Sequence, residues 1–197
     1  MTADVIGALV LAAGKGRRIG TAKLRLSTGG ETFLYRCVRM LRAAGADVVA
    51  GVVSPEERAW AVAEVPGTPF VNNPSDAGDM LSSVRVGMDL VSSCRSVVIL
   101  PVDHPCVQAE TVRRLVAAGR CEGDAVIKPL FQGRAGHPVL IPRTLFARVI
   151  ASGEGDTLRT IIAASGVPVT RLAVDDPGVL RNINTPGDLS ALPQTEM

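Results

Sequence analysis

Eight consecutive small or apolar residues, Ile6-Gly-Ala-Leu-Val-Leu-Ala-Ala13, give way at once to a loop crowded with glycine and cations. A run without polar alternation suits a strand covered on both faces, which implies a parallel sheet with helices above and below it. The rest of the chain follows that pattern. From Thr32 the apolar positions Phe33, Leu34, Cys37, Val38 and Leu41 recur at helical spacing, with Gly45 as a stop, and residues 47–53 read as a second buried strand. Ser54-Pro55-Glu56-Glu57 reads as a helix start, with a hydroxyl cap, proline in the first turn and acids near the positive dipole end.

Further strands are expected near Phe70 and over 97–100, 125–128, 139–141 and 169–174. Helices are expected around Met80, Val84 and Val91, and over 110–118, 145–150 and 158–164, with Thr185-Pro186-Gly187-Asp188 starting a short last one. Strands alternating with helices predict an α/β fold: a three-layer α/β/α sandwich with a mostly parallel, Rossmann-like sheet and ligands at the carboxyl ends of its strands. Residues 1–197 are expected to form a single domain, and residues 130–138 an excursion from the sheet that reaches over the site.

Composition narrows the function. Apolar residues make up 47% of the chain and charged residues 20%, values of globular proteins rather than disordered ones. No apolar stretch approaches the roughly 20 residues of a membrane span, and no signal-peptide pattern is present. A cytoplasmic protein is therefore expected. Cys37, Cys94, Cys106 and Cys121 show no paired spacing, which suits reduced thiols and packing roles. A net charge of +2 is too small to make nucleic acid or an anionic membrane the main partner. Its distribution says more: between Asp4 and Glu31 there is no acid, while Lys15, Arg17, Arg18, Lys23 and Arg25 all fall there. That local field suits a small polyanion.

The segment Leu11-Ala-Ala-Gly-Lys-Gly-Arg-Arg-Ile-Gly-Thr-Ala-Lys23 carries the strongest signal. Gly14, Gly16 and Gly20 let the backbone approach a ligand and expose amides that can cradle phosphate oxygens, while Arg18 and Lys23 supply charge. The dinucleotide fingerprint fails, because Ile19 stands where its third glycine belongs, and the P-loop fails for want of glycine-lysine followed by serine or threonine. An ordinary glycine-rich turn with solvated cations is the bland alternative.

These residues resemble the signature of the MobA-like nucleotidyltransferases, the family that holds the molybdenum-cofactor cytidylyl- and guanylyltransferases. The resemblance continues along nearly the whole chain through Asn73-Pro74, Met80-Leu-Ser-Ser-Val-Arg-Val-Gly87, Leu100-Pro-Val-Asp-His-Pro105, Gly136-His-Pro-Val-Leu140 and Arg181-Asn-Ile-Asn-Thr-Pro-Gly-Asp-Leu189. It implies the nucleotide-diphospho-sugar transferase fold and a Mg²⁺-dependent transfer of a nucleotide from a triphosphate to a phosphorylated acceptor.

The same resemblance implies roles. Lys23, Arg18 and Asp103 would be catalytic; Leu11, Ala12, Ala13, Gly14, Lys15, Gly16, Lys23, Asn73, Ser82, Ser83 and His137 would bind the ligands; Asp103 and Asn184 would hold the metal. Alternatives stand beside several of these. Ser82 and Ser83 equally suit a polar first helical turn, His137 an anchored loop, Asn182 or Asn184 a chain turn, Asp156 a helix cap and His104 the orientation of a neighbour. Asp79 departs from the family glycine and must face away from phosphates or cap the helix.

Ala13, where guanylyl relatives have glycine, implies CTP, whereas Asn182 and Asn184 tilt towards GTP. The expectation is CMP transfer from CTP to molybdopterin with release of pyrophosphate. Its rivals are transfer to a sugar or polyol phosphate, and a binding protein that delivers nucleotide or cofactor to a molybdoenzyme partner.

Overall fold

The computed structural model describes residues 4–14, 20–74 and 79–192. Its strands and helices, in order, are β1 (Ile6–Ala12), β2 (Ser27–Thr28), β3 (Glu31–Thr32), α1 (Phe33–Ala43), β4 (Val48–Val53), α2 (Arg58–Glu64), β5 (Phe70–Asn72), α3 (Met80–Gly87), β6 (Ser96–Pro101), α4 (Ala109–Cys121), β7 (Val126–Phe131), β8 (Arg134–Ala135), β9 (Val139–Pro142), α5 (Phe146–Ile150), α6 (Leu158–Ser165), β10 (Val169–Ala173) and α7 (Pro186–Ser190).

The main sheet runs β10-β7-β9-β6-β1-β4-β5, with β8 paired to β7. β1 lies between β4 and β6, parallel to both, and all seven of its residues are buried. That is what its unbroken apolar sequence requires. Alternation then divides its side chains between two layers. Ile6, Ala8, Val10 and Ala12 pack with α1 and α4, whereas Leu9 and Leu11 pack with Leu81 and Val84 of α3 and with residues of α5 and α6. Two apolar cores, one on each face, make the three layers.

β9 runs antiparallel to both β6 and β7, so the sheet is mixed rather than wholly parallel. From β1 the chain moves outward to β4 and β5 and then returns to β6 on β1's other side. The carboxyl ends of β1 and β6 therefore flank the point where the winding reverses, and loops leaving there part to opposite faces and open a crevice.

Local details depart from the sequence expectations in three places. Ser54 makes no side-chain cap; Pro55–Glu57 is a 3₁₀ turn leading into α2. The cap of α6 is Thr157, in a reciprocal capping box with Thr160, while Asp156 accepts from the Gly153 amide one turn earlier. Residues 130–138 do not leave the sheet entirely, since β7 extends to Phe131 and turns back through β8. Thr185 does cap α7, paired with Asp188.

Candidate active site

The loop after β1 places its lysine by anchoring the residues around it. Leu24 is fully buried, and Arg25 donates to Glu57 at 2.7 Å while lying 4.7 Å above the Trp60 ring. Held on the far side by these contacts, Lys23 projects towards the crevice. Its ammonium donates to Asp103 Oδ2 at 2.7 Å and to Asn184 Oδ1 at 2.5 Å.

Asp103 follows β6, where the Val102 amide still bonds to Leu11 of β1. Burial pushes its pKa up, but hydrogen bonds from His104 and Lys23 outweigh that and hold it down at about 2. An ionised carboxylate only accepts, so His104 Nδ1, 2.9 Å from Asp103 Oδ1, carries the proton and donates it. His104 thus orients Asp103.

Asn184 arrives from the far end of the chain on a bolted segment. Asp176, 1% exposed, accepts from the Gln108 amide, Thr111 Oγ1 and the Gly178 amide. A side chain at Gly178 would put its Cβ 2.2 Å from the Cys106 carbonyl oxygen, and one at Gly136 would stand 2.1 Å from the Val179 carbonyl oxygen. Only glycine allows those backbones to touch. The buried Ile183 then donates its amide to the Asp103 carbonyl at 2.8 Å. On either side of it Asn182 and Asn184 are less buried, and Asn184 Oδ1 meets Lys23.

The opposite wall belongs to α3. Asp79 caps it, accepting from the Leu81 and Ser82 amides, which is the capping role the sequence left open for it. Asn73 donates to Ser82 Oγ at 3.0 Å and to Ser83 Oγ at 2.9 Å, all three side chains being buried.

Between these walls lies a cavity of about 310 Å³ lined in part by Leu11, Ala13, Gly14, Lys23, Asn73, Ser83, Asp103, His137 and Asn182. Lys23, Asp103 and Asn184 are brought together. Two expected ligand contacts lie elsewhere: Ala12 is packed in the α1-side core, and Ser82 is not on the cavity wall but returns its hydroxyl to the Asp79 carbonyl. Lys15, Gly16 and Arg18 lie outside the described residues. His137 belongs to the wall, and burial, chiefly, lowers its pKa to about 4; its buried Nδ1 has no hydrogen-bond partner among the described residues.

Sequence reading missed Asp176 and the wall residues Pro101 and Val102. Asp176 carries no motif of its own. Its only sequence signal is the Asp-Pro-Gly turn in which it stands, and its distant partners are set by the tertiary fold.

The geometry of a glycine-lined, cation-bearing crevice at a strand reversal has known relatives. The model of the MobA-like NTP transferase domain matches residues 8–173. A probable molybdenum cofactor guanylyltransferase of Opitutus terrae is 32% identical over 128 residues, 64% of this chain and 61% of that protein. The chain thus spans about six tenths of the length of that curated relative. Among solved structures, Rv0371c of Mycobacterium tuberculosis H37Rv superposes with a TM-score of 0.84 at 27% identity, covering 96% of this chain and 97% of that one. A second structure of Rv0371c, in complex with manganese, gives 0.80 at 25% identity, with the same 96% and 97% covered. The fold is that of the nucleotide-diphospho-sugar transferases, as the family resemblance implies. Among the described residues no helix is long and apolar enough to cross a membrane.

Proposed function

This chain belongs to the MobA-like NTP transferase family, and from that premise we propose that it moves CMP from CTP to the phosphate of molybdopterin or the molybdenum cofactor and releases pyrophosphate, residues 1–197 acting as one domain. The observation that carries this reading is the meeting of Lys23 and Asp103, 80 residues apart in sequence, on one wall of a glycine-edged cavity.

The same contact supports a divalent cation. Asp103 Oδ2 and Asn184 Oδ1 already clasp one positive charge, the Lys23 ammonium, and hard oxygens from one or two side chains are what Mg²⁺ takes alongside phosphate and water. Asp103 and Asn184 are therefore the residues that would hold it. When bound, Mg²⁺ would neutralise phosphate charge and polarise the reacting phosphoryl group.

The remaining work falls to side chains and amides. Lys23, released from Asp103, offsets charge on the triphosphate; Gly14 leaves the backbone open to phosphate oxygens; His104 keeps Asp103 oriented and ionised. The acceptor phosphate is itself anionic, so no strong base is required, and positioning supplies the rate. Lys15, Gly16 and Arg18 complete the cationic loop in this reading.

Ala13, on the cavity wall where guanylyl relatives carry glycine, supports CTP. GTP is the second reading, favoured by the name of the Opitutus terrae relative. Purified protein given molybdopterin, Mg²⁺ and each triphosphate in turn should release pyrophosphate fastest with CTP. Faster release with GTP reverses the base assignment; release only with sugar or polyol phosphates replaces the acceptor; binding without release under any condition indicates a delivery protein.

A further inference from the structure

A second cavity, of about 590 Å³, adjoins the first and shares Met80 and His137 with it. Its floor breaks the alternation of the strands that form it. Val126 and Val169 are neighbours on β7 and β10, and Val126 belongs to the core beneath α6. Two positions on, the same side of the sheet comes round again, but there Lys128 and Arg171 stand as partners. Arg159 of α6 joins them on the wall.

Among the described residues no carboxylate lines the cavity, and none of the three cations has a hydrogen bond or ion pair. Lys128 is half-buried, and its pKa is lowered by burial first and then by the charges of Arg159 and Arg171. Three like charges facing one space repel one another, and an anion entering that space relieves the repulsion. Apart from His137 the remaining walls, including Val139, Leu158, Ile162 and Val169, are apolar.

We propose that Lys128, Arg159 and Arg171 form a subsite for an anionic group of the acceptor other than the phosphate that reacts, with the acceptor's less polar body lying against Val139, Leu158 and Ile162. This rests on the first cavity being the triphosphate site. The acceptor is then a molecule with two separated anionic groups, and a small monophosphate lacking the second group is a poor substrate.

The test uses 8-anilinonaphthalene-1-sulfonate, an apolar anion, as a fluorescent probe of the full chain, with inorganic phosphate as competitor. The probe should bind, weaken as NaCl is raised, and be displaced by phosphate. A Lys128→Met, Arg171→Met double variant keeps the apolar stems and loses two charges; it should bind the probe on the order of tenfold more weakly. Lys128→Arg should retain binding. Equal affinity in the wild type and the double variant overturns the subsite.

In turnover the double variant should raise KM for the acceptor by a similar factor and leave KM for the triphosphate unchanged. A rise confined to the triphosphate would assign the cations to the nucleotide and overturn the inference. Loss of the transferase reading shows differently: the wild type would then turn over no acceptor at all, while the charge dependence of probe binding would still decide the subsite.

Discussion

The ammonium of Lys23 would compete with a divalent ion for Asp103 Oδ2 and Asn184 Oδ1, the oxygens it already holds. Like-charge repulsion would favour turning the lysine away as the cation enters, and a triphosphate would offer it a new partner. Lys23→Ala should lower turnover by about 10²-fold or more, since a preorganised charge contact is lost. Yet the same variant should bind Mn²⁺ more tightly than the wild type when no nucleotide is present, as measured by electron paramagnetic resonance of the free ion. Asp103→Asn should lose both turnover and Mn²⁺ binding; unchanged Mn²⁺ affinity in that variant would remove Asp103 from the metal site. At this scale the sequence was readable where a residue type has one chemical use. Lys23 and Asp103 stood out in that way, and orienting a neighbour was an expected role for His104; that the neighbour is Asp103, reached through Nδ1–H, depended on a ring orientation that only packing sets.

Among the elements, the segment from Asp176 to Asn184 matters most for the site. It is pinned at one end by the three hydrogen bonds of Asp176 and at the other by the Ile183 amide on Asp103. Asp176→Ala strands buried donors and should cost on the order of 3 kcal/mol. Hydrogen exchange at the Ile183 amide should accelerate more than exchange in β1 if the segment loosens locally. Uniform acceleration would mean that the bolt serves global stability instead. Gly178→Ala should act in the same direction, because its Cβ would meet the Cys106 carbonyl oxygen. Local chemistry made the capped start of α7 legible through Thr185 and Asp188. It misled at Asp156, where a neighbouring threonine offered the better reciprocal cap, and at Ser54, which no side-chain cap bond uses.

For the molecule as a whole, acid should destabilise in two steps. His137 is shifted down from 6.5 to about 4, so the unfolded chain takes up a proton that the native one refuses between those values. Stability falls across that window as pH drops, by up to about 3 kcal/mol. Asp103 is shifted down from 3.8 to about 2; its contribution is complete above 3.8 and lost as pH falls towards 2. Denaturant midpoints measured from pH 7 to 2 should show the upper step disappear in His137→Gln while the lower one remains. A wild-type midpoint flat between pH 6.5 and 4 would contradict the burial of His137. The sequence by itself determined the layered α/β plan, the covered central strand and the glycine-rich loop, because periodicity, caps and glycine content act over a few neighbouring residues. Only the tertiary structure decided that β9 runs antiparallel and that Lys23 hydrogen-bonds directly to both Asp103 and Asn184, the last of them 161 residues from the first; the family resemblance had implied one shared site but not that contact. Strand order and the side on which each connection crosses are set by how whole faces pack, and no local pattern encodes that choice.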